Sequence, residues 1–515
     1  MKILDFYPTK GFFKEHKDIA FKVITDNDIK FIDGKIAIYD LDEEVYNYSF
    51  KDFRVSNDGD ALINISKHDL CCGGYFAELI LNDNVCFKTA FDIQKRWEDF
   101  PRYGYVSYFT PDHKNVEEQI ESMAKYHVNG VQFYDWQYRH DNLLSDTTVY
   151  LDPFNREMSL ETVNSFIDEC HKRNMSAMPY LAVYAASVEF WEKHKEWGMY
   201  DKYGNPLMFE DFLGLVNPSY GSKWFYHLDS ECDRVLRNTE FDGLHIDQYG
   251  EPKEAFDNEG NEIDIPNAFV DFINYQKDKH KGTVVFNAVG NWPIEQLTKS
   301  KADFMYIEVW EFTPTFADLR NICTNARLKS GQKPLVIPIY IKKDDFNNVL
   351  LADAIISSSG GTHLEIGDGE RLLSDPYFPK AEDISSEQLV ILRGYWDFVV
   401  GYQKVLGPKA LWKDIDVTTD KNIMTIGREN GKLTAISFIN CSEDDKWCEK
   451  MDTPTEYKDI IVDIEFNKPV KSVKFASADN KDISLESIDY KVNEDKIVIE
   501  LSSLKYWSMI IIEEE

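Results

Sequence analysis

Eight short runs rich in β-branched and aromatic residues alternate with segments whose apolar residues recur every three or four positions, and this alternation constrains the chain most. The runs are YGYVSYF from Tyr103, GVQFYDW from Gly130, SAMPYLAVY from Ser176, FDGLHID from Phe241, GTVVFNAVG from Gly282, ADFMYIEVW from Ala302, KPLVIPIYI from Lys333 and GTHLEIG from Gly361. Among the helical patterns are VEEQIESMAKYH, SLETVNSFIDECHKRN and IPNAFVDFINYQKDKH. Strands joined through helices pair in parallel, and eight of them close into a (β/α)8 TIM barrel.

Both ends of the chain have a different texture. Residues 1–98 alternate β-prone runs with turn signals, and Asp33-Gly34 sits where a two-residue hairpin turn is expected. From residue 408 the pattern returns, with a second turn signal at Asn430-Gly431 and two strand-like runs in IVIELSSLKYWSMIIIEEE. The predicted organisation is multidomain, α/β plus all-β. An N-terminal immunoglobulin-like β-sandwich (1–98) and a C-terminal β-sandwich (408–515) flank a catalytic barrel (99–407).

Asp and Glu outnumber Lys and Arg by 90 to 57, a formal charge of −33 that repels nucleic acid and anionic membrane surfaces. No stretch approaches the ~20 apolar residues of a membrane span. A neutral sugar is not repelled, and the aromatic residues supply faces on which sugar rings pack. The N-terminal segment MKILDFYPTKGFF lacks an apolar signal region, and eight irregularly spaced cysteines do not read as a disulfide framework. Both features lead to the expectation of a cytoplasmic protein.

Side-chain alternation sorts the candidate residues, because the outer face of a barrel strand packs on helices and is apolar. In FDGLHID, Leu244 and Ile246 take the helix side, which turns Gly243, His245 and Asp247 inward. In ADFMYIEVW, Met305, Ile307 and Val309 face helices, leaving Tyr306, Glu308 and Trp310 inward; Asp242 and Glu311 fall on the wrong face. The same count gives Gln132, Tyr134 and Trp136 from the second run, Asn287 from the fifth, Tyr340 from the seventh, and His363 and Glu365 from the eighth. Tyr180 of the third run joins this set as a substrate-binding candidate. Polar groups gathered at one end of a barrel are costly unless they work.

Two carboxyl groups flanking a glycosidic bond can protonate the leaving oxygen and stabilise an oxocarbenium-like centre. Tyr306 and Trp310 desolvate Glu308 and a charged Asp247 repels its charge, so Glu308 is the better acid and Asp247 the better nucleophile. Their spacing, and with it retention or inversion, is not given by the sequence.

The stretches PRYGYVSYF (101–109), HVNGVQFYDWQYRH (127–140), FDGLHIDQYG (241–250), YIEVW (306–310) and GGTHLEIGDGERLLSDPYFP (360–379) resemble those of glycoside hydrolase family 66. That family comprises dextranases and cycloisomaltooligosaccharide glucanotransferases. The resemblance implies a retaining mechanism, with Asp247 as nucleophile and Glu308 as acid/base, on α-1,6-linked dextran or isomaltooligosaccharides. It also implies substrate contacts from Asp135, Trp136 and, less directly, His140, with His363 and Glu365 at the matching positions of the last strand. Asp135 falls on the outward count but ends its strand, where alternation often fails. After the nucleophile, QYGEP departs from the more Gly-rich continuation expected of the secreted dextranases. No connection is long enough for the carbohydrate-binding module that the glucanotransferases insert, so endo-acting hydrolysis is expected over cyclisation.

No metal or cofactor is expected. The acidic run DNEGNEIDIPN lacks calcium-loop spacing, and Cys441 and Cys448 have no His nearby to complete a zinc site. Competing readings are a transglycosylase on α-glucans, a non-catalytic glucan-binding protein, and an aldolase, which calls for an inward Lys that the count does not find. The oligomeric state is left open.

Overall fold

The computed structural model describes residues 3–26, 31–56, 58–493 and 495–515. Eight parallel strands follow the eight runs: β1 (Tyr103–Val106), β2 (Gly130–Phe133), β3 (Ser176–Ala182), β4 (Gly243–Asp247), β5 (Thr283–Phe286), β6 (Met305–Tyr306), β7 (Leu335–Pro338) and β8 (Thr362–Leu364). Each pairs with the next in sequence, β5 reaching β6 through a single bridge between Asn287 and Tyr306. Ile366–Gly367, which continues β8, pairs with β1 at Tyr105 and closes the ring.

Between the strands lie helices including Val116–Lys125, Leu160–Lys172, Lys223–Asn238, Ile265–Lys279, Phe316–Lys329, Phe346–Ser358 and Ser386–Gly401. Leu244, Ile246, Met305, Ile307 and Val309 pack into the helix-facing core, as alternation predicts. A separate cluster inside the ring contains Tyr103, Tyr105, Met178, Val285, Tyr306, Val336 and Leu364. Helix Phe346–Ser358 is buried on every side from Asn348 onward, because the C-terminal unit covers its outer face. There the Asn348 amide donates to the carbonyls of Trp447 (2.9 Å) and Glu449 (2.7 Å). No helix among the described residues is long and apolar enough to cross a membrane.

The two ends are β-rich. In the N-terminal unit a three-stranded and a five-stranded sheet share one apolar core, and in the C-terminal unit a six-stranded and a four-stranded sheet do the same. Asn430-Gly431 marks a true hairpin: Met424–Asn430 pairs with Leu433–Ile439, and Gly431 takes φ 61°. Asp33-Gly34 does not. Strand Phe31–Asp40 runs straight through it, with a register shift between Ile32 and Gly34, and turns only before Glu43. Glycine is required there by close approach, since a Cβ would stand 2.4 Å from the Leu81 side chain and 2.5 Å from the Ile80 carbonyl oxygen.

A buried ion pair fastens the N-terminal unit to the ring. Arg102, just before β1, donates to both carboxylate oxygens of Asp92 at 2.8 Å and to the carbonyls of Gly11, Phe100 and His127. Removing one partner strands a desolvated charge, so Arg102→Met should destabilise the chain by about 3–5 kcal/mol in chemical denaturation. Adding Asp92→Leu should restore most of that loss, and a double variant no more stable than the single one would contradict this account.

Candidate active site

At the carboxyl ends of β4 to β7, four polar side chains converge. The Asn287 amide nitrogen donates to Asp247 Oδ1 at 2.9 Å and to Glu308 Oε2 at 2.8 Å. Tyr180 at the end of β3 donates its hydroxyl to Asp247 Oδ2 (3.0 Å), and Tyr340 beyond β7 donates to Glu308 Oε1 (2.6 Å). Every oxygen of the two carboxylates thus has a neutral donor. Among the described residues neither carboxylate has a salt-bridge partner.

Burial dominates the electrostatics. It raises the Asp247 pKa to about 7, helped by the charge of Glu308 and opposed by hydrogen bonds from the Gln248 backbone, Tyr180 and Asn287. Glu308 is raised as well, again by burial, against hydrogen bonds from Tyr340 and Asn287. Both carboxyl groups are therefore harder to ionise than free ones, and close together they titrate as a pair. Glu308, 7% exposed, is the deeper of the two, while Asp247 opens partly toward the mouth. Beneath them His245 accepts or donates at 3.2 Å with the Tyr103 hydroxyl and stands edge-on to Tyr306. Burial lowers its pKa to about 3, so it is a neutral neighbour and has no proton to give near neutrality.

Of the other expected residues, Tyr134, Tyr180, Asn287, Trp310 and Tyr340 line the mouth or its wall. Tyr306 lies lower, inside the ring, donating to Gln132 (3.1 Å). Asp135 adopts φ 51°, and this left-handed residue ends the strand alternation. Its carboxylate stands 3.5 Å from Arg156, and burial raises its pKa to about 7. Asp242 and Glu311 are away from the mouth, as alternation required: Asp242 accepts from the Ala177 backbone at 2.7 Å, and Glu311 is exposed.

Expectations fail at four residues. Trp136 is 1% exposed, packs on Phe241 and donates to the Tyr180 carbonyl (3.1 Å), so it is a core residue and offers no face to a sugar. His363 and Glu365 point outward: His363 Nδ1 lies 2.7 Å from Asp353 of helix Phe346–Ser358, and Glu365 accepts from Trp396 of helix Ser386–Gly401 at 2.7 Å. Leu364 takes the inward place. His140 is buried beside Gln137, and burial lowers its pKa to about 4.

Alternation also missed residues that lie beyond strand ends. Arg156 pairs with Asp135, and Tyr377 lies edge-on to Tyr134 at 6.2 Å. Asp368, at φ 44°, accepts from the Ser107 backbone (2.8 Å) and hydroxyl (2.6 Å) and so holds the end of β1. Tyr377 and Asp368 lie in the GGTHLEIGDGERLLSDPYFP stretch, whose unusual composition was the available signal. Two groups have donor sets that could hold a metal ion, Asp353–His363–Glu365 and Asp229–Asp233–His280. Lys279 already pairs with both carboxylates of the second at 2.6 and 2.9 Å.

The model of glycosyl hydrolase family 66 matches residues 10–511. The chain belongs to that family. A cycloisomaltooligosaccharide glucanotransferase of Niallia circulans is 29% identical over 304 residues, 53% of this chain but only 31% of the relative's own length. Among solved structures, a Paenibacillus sp. cycloisomaltooligosaccharide glucanotransferase complexed with cycloisomaltoheptaose superposes with TM-score 0.90 at 20% identity, over 99% of each chain. An α-amylase from Geobacillus thermoleovorans, complexed with acarbose, shares the fold at TM-score 0.54 and 11% identity, over 82% of this chain and all of its own.

Proposed function

We propose that this family 66 member is a retaining enzyme on α-1,6-linked glucan whose principal reaction is transfer of a glucan chain to a sugar hydroxyl. In this reading the parallel ring and its helices are a (β/α)8 catalytic barrel, residues 99–407, between β-sandwich units at 1–98 and 408–515. The single observation that carries its retaining part is the Asn287 bridge. Two oxygens bonded to one nitrogen stand no further apart than those two bonds end to end, which supports the ~5–5.5 Å spacing of retaining enzymes over the ~6.5–9.5 Å that admits water between the carboxyl groups.

Asp247 attacks the anomeric carbon while Glu308 passes its proton to the departing glycosidic oxygen. A covalent glycosyl-enzyme and a free chain end result. Glu308, now a carboxylate, then takes the proton of the acceptor hydroxyl as that oxygen displaces Asp247. Asn287 and Tyr180 hold Asp247 for attack, and Tyr340 orients Glu308. The glucanotransferase names of the similar proteins favour a sugar as acceptor over water.

Endo-hydrolysis of dextran is the second reading, favoured by the absence of a long inserted module in the barrel connections. A time course of products from dextran and from linear isomaltooligosaccharides separates the two. Cyclic or lengthened products early in the reaction support transfer, and only shorter linear fragments support hydrolysis. Absence of any product from either substrate sinks the α-1,6-glucan assignment.

A further inference from the structure

An aromatic run leads out of the site to a surface that neither carboxylate touches. From Tyr180, which bonds Asp247, ring centroids step to Tyr134 (5.6 Å), Tyr377 (6.2 Å), Phe154 (5.7 Å) and Phe212 (5.2 Å). Exposure rises as far as Phe154: Tyr180 is buried, Tyr134 and Tyr377 are half-buried, Phe154 is 44% exposed, and Phe212 beyond it is half-buried again.

Phe154 is held out in the open by a hydrogen-bonded loop. Asp152, itself buried, accepts from the backbone N–H of Phe154 (2.9 Å) and of Arg156 (2.8 Å) and from Arg156 Nε (2.6 Å). The Arg156 guanidinium reaches on to Asp135 at 3.5 Å and lies over the rings of Phe154 and Tyr377 at 5.9 and 5.7 Å. This clamp joins the loop to the end of β2 and fixes the Phe154 ring relative to the catalytic carboxylates. An apolar ring held in water on an aromatic path from the nucleophile is placed to stack on a neutral ring, as sugar-binding aromatics do.

We infer that Tyr377, Phe154 and Phe212 form a distal glucosyl subsite that grips the glucan several units from the bond being cleaved. This rests on the α-glucan reading above. It makes efficiency depend on chain length, because only substrates long enough to reach Phe154 gain the contact.

The test measures kcat/KM along a ladder of linear isomaltooligosaccharides up to dextran, for the wild type, Phe154→Ala, Phe212→Ala and Phe154→Trp, with thermal melts to verify folding. Phe154→Ala should lose about tenfold on long substrates, about 1.4 kcal/mol, and less than about twofold on the shortest one turned over. Phe154→Trp should keep the length dependence. A wild type active on the ladder with an unchanged length profile in both alanine variants overturns the subsite, as does an equal loss at every length. A wild type inert on the whole ladder overturns the parent reading and the subsite with it.

Discussion

Asp247→Asn should lower turnover of an isomaltooligosaccharide by about four orders of magnitude while leaving folding and the substrate KM nearly unchanged. The substitution keeps the shape of the side chain and at least one hydrogen bond from Asn287 or Tyr180, but the amide cannot attack the anomeric carbon. The large loss follows from the role: a nucleophile forms a bond, and no neighbouring side chain is positioned to replace it. His245 lies below as a neutral imidazole, and Asp135 is tied to Arg156. Asp247→Gly gives a sharper version, since the space it opens admits azide or formate. Rescue by either ion, with a glycosyl azide of configuration opposite to the substrate, would identify Asp247 as the group that attacks carbon. More than a tenth of wild-type turnover in Asp247→Asn, with contaminating wild type excluded, would move the nucleophile elsewhere.

Much of this site was legible because β4 to β7 obey strand alternation closely. Leu244, Ile246, Ile307 and Val309 enter the helix-facing core, so Asp247 and Glu308 had only one direction left. The count failed where its premise failed. It assumes an apolar helix layer, whereas helix Phe346–Ser358, enclosed by the C-terminal unit, brings Asp353 into that layer and gives His363 and Glu365 polar partners there. A one-dimensional pattern does not report that a helix is covered on both sides. Trp136 was misplaced for a related reason: after the left-handed Asp135, β2 no longer alternates, and the indole turns into the core against Phe241. Arg156 and Phe154 were out of reach altogether, because they act from a loop whose position depends on Asp152 hydrogen bonds that no periodicity encodes. Asp33-Gly34 shows the converse error, a turn signature that answers instead to the close approach of Leu81.

Glu308→Gln should separate the proton from the nucleophile. With a natural glucan, whose leaving oxygen needs protonation, the loss should be about 10²–10⁴-fold. With an aryl glycoside whose leaving group departs unaided, formation of the glycosyl-enzyme should run near the wild-type rate and lose the basic limb of its pH profile, which reports Glu308 giving up its proton. A basic limb unchanged in this variant would remove Glu308 from the acid role. The same substitution has a consequence for stability that fixes the sign of the electrostatics. Burial raises both carboxyl groups above their ordinary range, Asp247 from 3.8 to about 7. A carboxyl group with a raised folded pKa binds its proton more tightly in the folded chain, so its contribution is present in full below the unfolded pKa and declines as pH rises toward the folded one. Asp247 should therefore cost stability progressively between about pH 4 and pH 7, and Glu308 adds to that cost in the same direction. Glu308→Gln removes one ionisable member while keeping an oxygen acceptor for Asn287 or Tyr340, and Asp247 can then ionise without a like charge beside it. The variant should melt higher than the wild type at pH 8 and converge with it near pH 4. Enzymes that position two desolvated carboxyl groups for chemistry carry that strain in the resting state, and a neutral variant that is inactive yet more stable is its signature.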